Sequence, residues 1–417
     1  MKISEIRPEV YELAEKATEK LDPVFRKIDA VSMQNTKKVM EAFQENKVSE
    51  SCFAGTTGYG YDDLGREVLD RIYARIFGAE AALVRINFVN GTHALTAAMF
   101  AVVKPGDVIL SVTGTPYDTL RSAIGISGGC HGSLKFYGID YAEVSLADDG
   151  EPDYDKIEKA AADRRVAAVM IQRSRGYEDR KALSVAEIGR ICDIVHRVNP
   201  EASIMVDNCY GEFTDVIEPT QVRADIIAGS LIKNPGGGIA PTGGYIAGKA
   251  ELVERAAMRL TTPGIGGECG STLGNNRLLF QGLFIAPHTV AQALKTAAFC
   301  AAMMDELGIE SSPAYNAERS DIIQMIKLKS PERIKKFCLG IQSGAPVDSF
   351  VTPEPWPMPG YDCPVIMAAG SFIQGSSIEL SADGPIREPY TVYMQGGLTF
   401  ESGKLGVMMA VSAMLEE

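Results

Sequence analysis

The sequence has no long apolar run. None of its uninterrupted apolar stretches approaches the roughly 18 residues that a membrane-spanning helix needs. The first 20 residues, MKISEIRPEVYELAEKATEK, are charged and lack the apolar segment of a secretion signal. Its 41 basic residues are outnumbered by 54 acidic residues, and an acidic surface disfavours phosphate backbones and anionic lipids. We therefore expect a cytoplasmic protein that binds neither a membrane nor nucleic acid.

Metal-binding and disulfide patterns are also missing. The 417 residues include only 4 histidines, without an H-x-x-x-H pair, and 8 cysteines, without a C-x-x-C pair. Scattered cysteines of this kind indicate reduced thiols, and we expect no metal site. G-x-G-x-x-G and G-x-x-x-x-G-K-[ST] are absent too, which disfavours a nicotinamide-dependent or P-loop enzyme. The hydrophobic fraction of 46% is typical of a globular protein with two or three domains.

Apolar periodicity predicts the organisation of the chain. Between residues 82 and 248, strand-like segments alternate with helical segments of about 10–15 residues, a pattern typical of a mostly parallel sheet covered by helices on both faces. The candidate strands are 82–86, 107–112, 134–138, 166–172, 203–208, 225–232 and 243–248. We expect an α/β fold with an N-terminal helical arm (1–52), a large α/β domain (53–290) and a small C-terminal α+β domain (291–417). A helix over 276–307 is predicted across the boundary between the two domains, and strands at 376–380 and 390–397 are predicted within the small domain.

Three strand ends carry candidate functional residues, because ligands of open α/β sheets bind at the carboxyl ends of the strands. Gly91 and Thr92 open an apolar helix after the first strand, where backbone N–H groups and the helix dipole suit a phosphate. A simple helix cap is the alternative. Asp207 ends the strand SIMVDN and needs a cationic or donor partner, unless it caps a neighbouring loop.

Lys233 is the third candidate, directly after the strand ADIIAGSLI and before three glycines. Burial at the sheet edge should lower its pKa and make it an amine nucleophile, whereas an exposed loop lysine is the alternative. The glycines permit the backbone to approach a bulky ligand closely. A phosphate cradle, a carboxylate and a lysine together match pyridoxal 5′-phosphate, whose aldehyde would bond to the lysine and whose pyridine nitrogen would pair with the carboxylate.

The sequence also resembles a known family over essentially its whole length. The passages that carry the resemblance are VNGTHAL (89–95), TGTPYDTL (113–120), QRSRGY (172–177), DNCYGEF (207–213), LIKNPGGGIAPTGGYIAG (231–248) and QGGLTFESGKLGVM (395–408). They are similar to the fold-type I pyridoxal-phosphate enzymes, and specifically to methionine γ-lyase-like proteins described as cystathionine β-lyase relatives linked to aluminium resistance. The resemblance implies an aspartate-aminotransferase-like fold.

The resemblance assigns roles to the strand-end residues. It implies that Lys233 forms the internal aldimine and, once released by substrate, moves the Cα proton. Asp207 would pair with the pyridine nitrogen of the cofactor. Gly91, Thr92 and Ser230 would hold its phosphate.

Four tyrosines receive roles in the same way. Tyr117 would lie over the pyridine ring and donate a proton to the leaving group, or simply pack in the core. Tyr210 would bond the ring oxygen or serve packing alone. Relatives carry a Y-x-R element that reaches the phosphate of a neighbouring subunit. Here Tyr59 and Tyr61 stand in GYGYDDLGR without that arginine. The resemblance still implies that these two tyrosines reach the cofactor phosphate of a partner subunit. The resemblance implies a homodimer or homotetramer with sites near the subunit interface.

An arginine should bind the substrate carboxylate, because its two parallel N–H donors match a carboxylate. Arg387 is the first choice and Arg173 the second, although either could be a solvated surface residue. The function implied is a pyridoxal-phosphate-dependent carbon–sulfur lyase that acts on a cystathionine-, methionine- or cysteine-type substrate by β- or γ-elimination. An aminotransferase and a non-catalytic, cofactor-binding stress protein are the alternatives.

Overall fold

The computed structural model describes residues 2–127, 131–358, 361 and 363–415. The chain begins with two helices, α1 (Pro8–Glu19) and α2 (Asp22–Glu45), each with proline in its first turn, where the missing N–H group costs nothing. The long helix α9 (Asn276–Glu306) packs against both. None of the helices in the described ranges is long and apolar enough to cross a bilayer.

A seven-stranded sheet forms the centre of the first two thirds of the chain. Its strands, in chain order, are β1 (Ala81–Arg85), β2 (Val108–Ser111), β3 (Asp140–Glu143), β4 (Val166–Gln172), β5 (Ser203–Asp207), β6 (Ile226–Ser230) and β7 (Gly244–Gly248). Helix α3 (Leu64–Phe77) precedes the first strand, and the helices between and after the strands are α4 (Gly91–Val102), α5 (Asp118–Ile124), α6 (Tyr154–Ala161), α7 (Val185–Val198) and α8 (Ala250–Leu260).

The strand order of this sheet is β1-β7-β6-β5-β4-β2-β3. Strands β2 to β6 are parallel, and β7 runs antiparallel to both of its neighbours. The α/β prediction with a mostly parallel sheet is confirmed. Because β4, β5 and β6 are adjacent and parallel, the residues that follow them meet at one edge of the sheet.

A second, antiparallel sheet has the strand order β10-β11-β12-β9-β8. Its strands are β8 (Ser311–Ser312), β9 (Ile323–Lys327), β10 (Val365–Ala369), β11 (Ser381–Pro385) and β12 (Thr391–Gln395), accompanied by helices α10 (Pro331–Ser343) and α11 (Phe400–Leu415). Apolar residues of α1 and of the last turns of α9 belong to its core, whereas the first turns of α9 belong to the core of the large sheet. The proposed boundary at 290/291 thus lies within a continuous helix, and the three-part division stays a prediction.

Two predicted strands are wrong. Residues 134–138 form a 3₁₀ turn (Lys135–Tyr137) that ends at Gly138 with φ 77°, and the edge strand β3 follows it. This strand is half exposed and therefore carries no apolar run. Residues 376–380 are irregular because the Glu379 carboxylate accepts the N–H groups of Phe372 and Ile373 and closes a turn. The helix over 276–307 is confirmed by α9.

Candidate active site

A cavity of about 520 Å³ lies between the carboxyl edge of the large sheet and the small sheet. Eight of the sequence-predicted site residues line it: Gly91, Thr92, Tyr117, Asp207, Tyr210, Ser230, Lys233 and Arg387. Residues separated by almost 300 positions therefore meet at one place. In the part of the chain that the structure describes, no three His, Cys, Asp or Glu side chains are grouped to hold a metal ion.

The start of α4 and the end of β6 form a cradle for an anion. The Asn90 side chain accepts the N–H of His93 at 2.9 Å, and the earlier N–H groups of Gly91 and Thr92 have no partner within the helix. A Cβ on Gly91 would lie 3.1 Å from Cβ of Ser230, so glycine permits the close approach of helix and strand. Among the described residues, the buried Ser230 Oγ has no hydrogen-bond partner. These donors fit a phosphate group.

Asp207 places a buried carboxylate at the end of β5. Cys209 donates its backbone N–H to Oδ1 of Asp207 at 3.1 Å, which fixes the orientation of the carboxylate. Burial raises the pKa of Asp207 above its ordinary value, although the charge of Lys233 and the Cys209 N–H act in the opposite direction. A buried anion at this position suits a protonated heteroaromatic nitrogen.

Lys233 follows β6, and its Nζ lies 3.9 Å from the centre of the Tyr210 ring. Burial acts to lower the pKa of Lys233, as expected from the sequence. However, Cys209, Tyr210 and Asp207 outweigh burial, so the pKa lies well above its ordinary value. The predicted lowering of this pKa is therefore wrong for the protein without a ligand. Lys233 must lose a proton before its nitrogen can act as a nucleophile.

Tyr117 is held above the cradle from two sides. Its hydroxyl lies 3.2 Å from Thr92 Oγ1, and its backbone N–H donates to Gln172 Oε1 at 3.1 Å. Burial, followed by the nearby Asp207 carboxylate, raises the pKa of Tyr117 well above its ordinary value. The phenol therefore keeps its proton at neutral pH and can act as a proton donor.

Tyr210 lies between the large sheet and the C-terminal part of the chain. It adopts a left-handed conformation with φ 71°, directly after the loop that leaves Asp207. Its hydroxyl lies 3.2 Å from Ser377 Oγ in the C-terminal part of the chain. Its suggested bond to the ring oxygen of a cofactor stays a prediction.

Arg173 lies outside the cavity, and the hypothesis that it binds the substrate carboxylate is wrong. Its Nη1 is 2.7 Å from Asn208 Oδ1 and 3.4 Å from Glu218 Oε2, in a fully buried cluster. Side chains alternate along an extended segment, so Gln172 and Ser174 line the cavity while Arg173 points to the opposite side. Arg387 lies exposed at the cavity wall.

Arg173→Met is expected to lower the free energy of unfolding by about 3–5 kcal/mol, because the substitution leaves Glu218 buried without its cationic partner. Arg387→Met should change it by less than about 0.5 kcal/mol, since Arg387 is exposed. Urea denaturation followed by circular dichroism measures both values. Equal stability of the two variants would contradict the structural role of Arg173.

Sequence reasoning missed Arg175, although it stands in the passage QRSRGY. Its side chain is fully buried at the cavity wall. Nη2 donates to Ser312 Oγ at 3.3 Å, whereas Nε and Nη1 lack partners among the residues described. A buried guanidinium with free donors suits a carboxylate. Asp383, Tyr177 and Tyr361 also line the cavity and were not anticipated.

Tyr59 and Tyr61 lie outside the cavity. Their rings stack on each other with centroids 5.7 Å apart, and they are 72% and 56% exposed. The loop that carries them is anchored by the buried Arg66, which donates to the backbone oxygens of Gly60 and Gly270. Both rings are therefore presented on a well-supported surface.

A family model described as methionine gamma-lyase matches residues 10–415. The chain belongs to this family. As a methionine gamma-lyase family member, it is a pyridoxal-phosphate-dependent carbon–sulfur lyase, and the cavity residues fit that cofactor through the unpaired Ser230 hydroxyl, the Gly91 cradle and the buried Asp207.

Relatives of this methionine gamma-lyase family member match more than nine tenths of its length. Protein YnbB of Bacillus subtilis is 47% identical over 395 residues, which are 94% of each chain. The crystal structure of a carbon–sulfur lyase involved in aluminum resistance from Clostridium novyi NT is 52% identical, with a TM-score of 0.94 over 98% of this chain and 96% of that chain. The pyridoxal-5′-phosphate-dependent protein YhfS of Escherichia coli, at 15% identity and a TM-score of 0.61 over 90% of this chain and 94% of that chain, shares the fold.

Ser230→Ala tests the phosphate cradle. The substitution should weaken cofactor binding by about 10- to 100-fold, since a hydrogen bond to a charged group contributes about 1.5–3 kcal/mol. The cofactor-free variant should be as stable as the wild type or more stable, because a buried hydroxyl without a partner is removed. Titration of the cofactor-free protein gives the affinity, and thermal melting gives the stability. Unchanged affinity would place the phosphate elsewhere.

Proposed function

We propose that this enzyme releases a thiol from a sulfur amino acid by β- or γ-elimination. The observation that carries the proposal is that Lys233, Asp207 and the anion cradle line one cavity beside the Tyr117 phenol. Pyridoxal phosphate, when bound, supplies an electron sink for the negative charge that develops at the substrate Cα.

Lys233 has two tasks in this proposal. Its Nζ would hold the cofactor through the aldehyde carbon, and the same amine, when free and unprotonated, would take the Cα proton of the substrate. Asp207 offers the cofactor nitrogen an anionic partner in a buried environment, where the interaction is stronger than in water. The donors of Gly91, Thr92 and Ser230 hold the phosphate, so the reacting bond is kept in a fixed place.

Tyr117 is the proposed acid for the leaving sulfur. Its phenol remains protonated and lies beside Thr92 at the cavity wall. Arg175 and Arg387 are the two candidates for the substrate carboxylate, one buried and one exposed. The buried Arg175 is favoured because its unpaired donors gain most from an anionic partner.

The purified holoenzyme should be supplied separately with L-cystathionine, L-methionine and L-cysteine. The proposal expects equal amounts of a thiol or sulfide, a 2-oxo acid and ammonia from at least one of them. From cystathionine, pyruvate indicates β-elimination and 2-oxobutyrate indicates γ-elimination. A 2-oxo acid formed only with an added amino acceptor, without thiol, would indicate an aminotransferase. Cofactor binding without any product would favour the non-catalytic alternative.

We further propose a cytoplasmic homodimer or homotetramer. All seven cysteines in the described ranges are free thiols, which supports a reducing compartment. The exposed stack of Tyr59 and Tyr61 supports a subunit contact, because monomers seldom expose adjacent large aromatic rings. Sedimentation equilibrium tests the assembly, and a monomer with full cofactor occupancy would contradict it.

A further inference from the structure

Asp383 is a buried carboxylate that the proposed elimination does not use. It lies on β11, is 7% exposed and lines the cavity from the side of the small sheet. Gln395 Nε2 donates to its Oδ2 at 3.1 Å, and the Tyr177 hydroxyl is a second partner. Both partners are neutral, and the ion pairs of the described residues do not include Asp383.

A charged carboxylate that is buried with only neutral partners is energetically unfavourable, because it has lost its hydration without gaining a cation. Burial raises the pKa of Asp383 above its ordinary value, and Lys233 is the cation that acts in the opposite direction. Under the proposed function Lys233 is committed to the cofactor. Asp383 then gains most from a cation that arrives with the substrate.

Aromatic rings surround the same part of the cavity. Tyr177, Tyr210 and Tyr361 all line it, and the centroids of Tyr177 and Tyr361 are 5.7 Å apart. The face of an aromatic ring attracts an ammonium group, and the Lys233 ammonium lies 3.9 Å from the Tyr210 centroid. This wall of the cavity therefore accepts a positive charge.

We propose that Asp383, Tyr177, Tyr210 and Tyr361 form a subsite for a cationic group on the leaving side of the substrate. The inference rests on the proposed function and narrows its substrates to thioethers of amino acids whose departing thiol carries an ammonium group, as in cystathionine but not in methionine. The substrate carboxylate lies at the arginines, and the distal ammonium lies against Asp383. An uncharged alkyl group of the same length leaves Asp383 buried without a cation and binds more weakly.

Two substrates of equal chain length test the subsite. S-(2-aminoethyl)-L-cysteine carries the distal ammonium, and S-propyl-L-cysteine replaces it by a methyl group. Spectral titration of the holoenzyme gives a dissociation constant for each, and steady-state assays give kcat/KM. We expect the wild type to favour the aminoethyl compound by about 10- to 100-fold, the range of a hydrogen bond to a charged group.

Asp383→Asn should reduce this preference to about threefold or less, because asparagine keeps an oxygen for Gln395 but has no charge. Asp118→Asn is the matched control. Asp118 also lines the cavity, but Arg121 already pairs with it at 2.9 Å, so the substitution should leave the preference unchanged.

Two outcomes would overturn the subsite. One is a wild type that binds the two compounds equally well. The other is an Asp383→Asn variant that loses the same affinity for both compounds, because Asp383 would then contact the α-amino end that they share or stabilise the folded protein. A holoenzyme that prefers the aminoethyl compound in titration but turns over neither keeps the subsite and excludes β-elimination of these thioethers. Turnover of both compounds with equal affinity keeps the lyase and refutes the subsite.

Discussion

Lys233→Arg is expected to lower kcat/KM by about 10⁴-fold, the upper range for loss of a positioned acid–base group. Arginine keeps the positive charge beside Asp207 and Tyr210, so the electrostatic environment of the cavity changes little. A guanidinium stays protonated and can neither bond to the cofactor aldehyde nor take the Cα proton. Steady-state kinetics of carbon–sulfur cleavage measure the loss.

Lys249→Arg is the matched control for this variant. Lys249 also follows a strand of the large sheet, β7, but its side chain is 59% exposed and pairs with Asp225 at 2.6 Å. The control should retain activity within about twofold, because the exposed Lys249 side chain lies outside the cavity and arginine preserves its ion pair with the buried Asp225. If Lys233→Arg retains a tenth of the wild-type activity, Lys233 does not carry the chemistry.

Asp207→Asn is expected to lower kcat by about 10²–10³-fold, as the removal of one preorganised electrostatic partner does. Asparagine has the shape of aspartate and still accepts the Cys209 N–H, so the loop geometry is preserved. The lost negative charge weakens the preference of the cofactor nitrogen for its protonated form. The electron sink is therefore weaker.

The Asp207→Asn measurement needs cofactor occupancy as its control. Absorbance per subunit after dialysis reports how much cofactor the variant keeps, and kcat is then expressed per bound cofactor. A loss that disappears after this correction would assign Asp207 to cofactor retention. A corrected loss of about 10²-fold or more supports its electrostatic role.

The residues at the strand ends could be predicted from the sequence for a physical reason. Asp207 ends the apolar strand β5 and Lys233 stands three residues after the apolar strand β6, and adjacent parallel strands bring their carboxyl ends together. Gly91 opens a helix after another apolar strand and is located by the same argument. Local patterns were sufficient because each of these residues is positioned by the element that precedes it.

The other side of the cavity could not be predicted in this way. Asp383 stands in the strand SADGP, whose composition has no apolar alternation, and it reaches the cavity only through packing of the small sheet on the large domain. Alternation along an extended chain would place Arg173 and Arg175 on the same side. However, β4 ends at Gln172 and the chain after it is irregular, so Ser174 and Arg175 both line the cavity, which the sequence pattern does not show. The pKa of Lys233 depends on Cys209 and Asp207, which only the fold brings near.

Borohydride reduction of the yellow holoenzyme, followed by mass spectrometry of its peptides, tests the central claim most directly. The account predicts that reduction abolishes the visible absorbance and leaves a stable pyridoxyl adduct on the peptide that contains Lys233. An adduct confined to another lysine, or a colourless protein that takes up no pyridoxal phosphate on reconstitution, would contradict it.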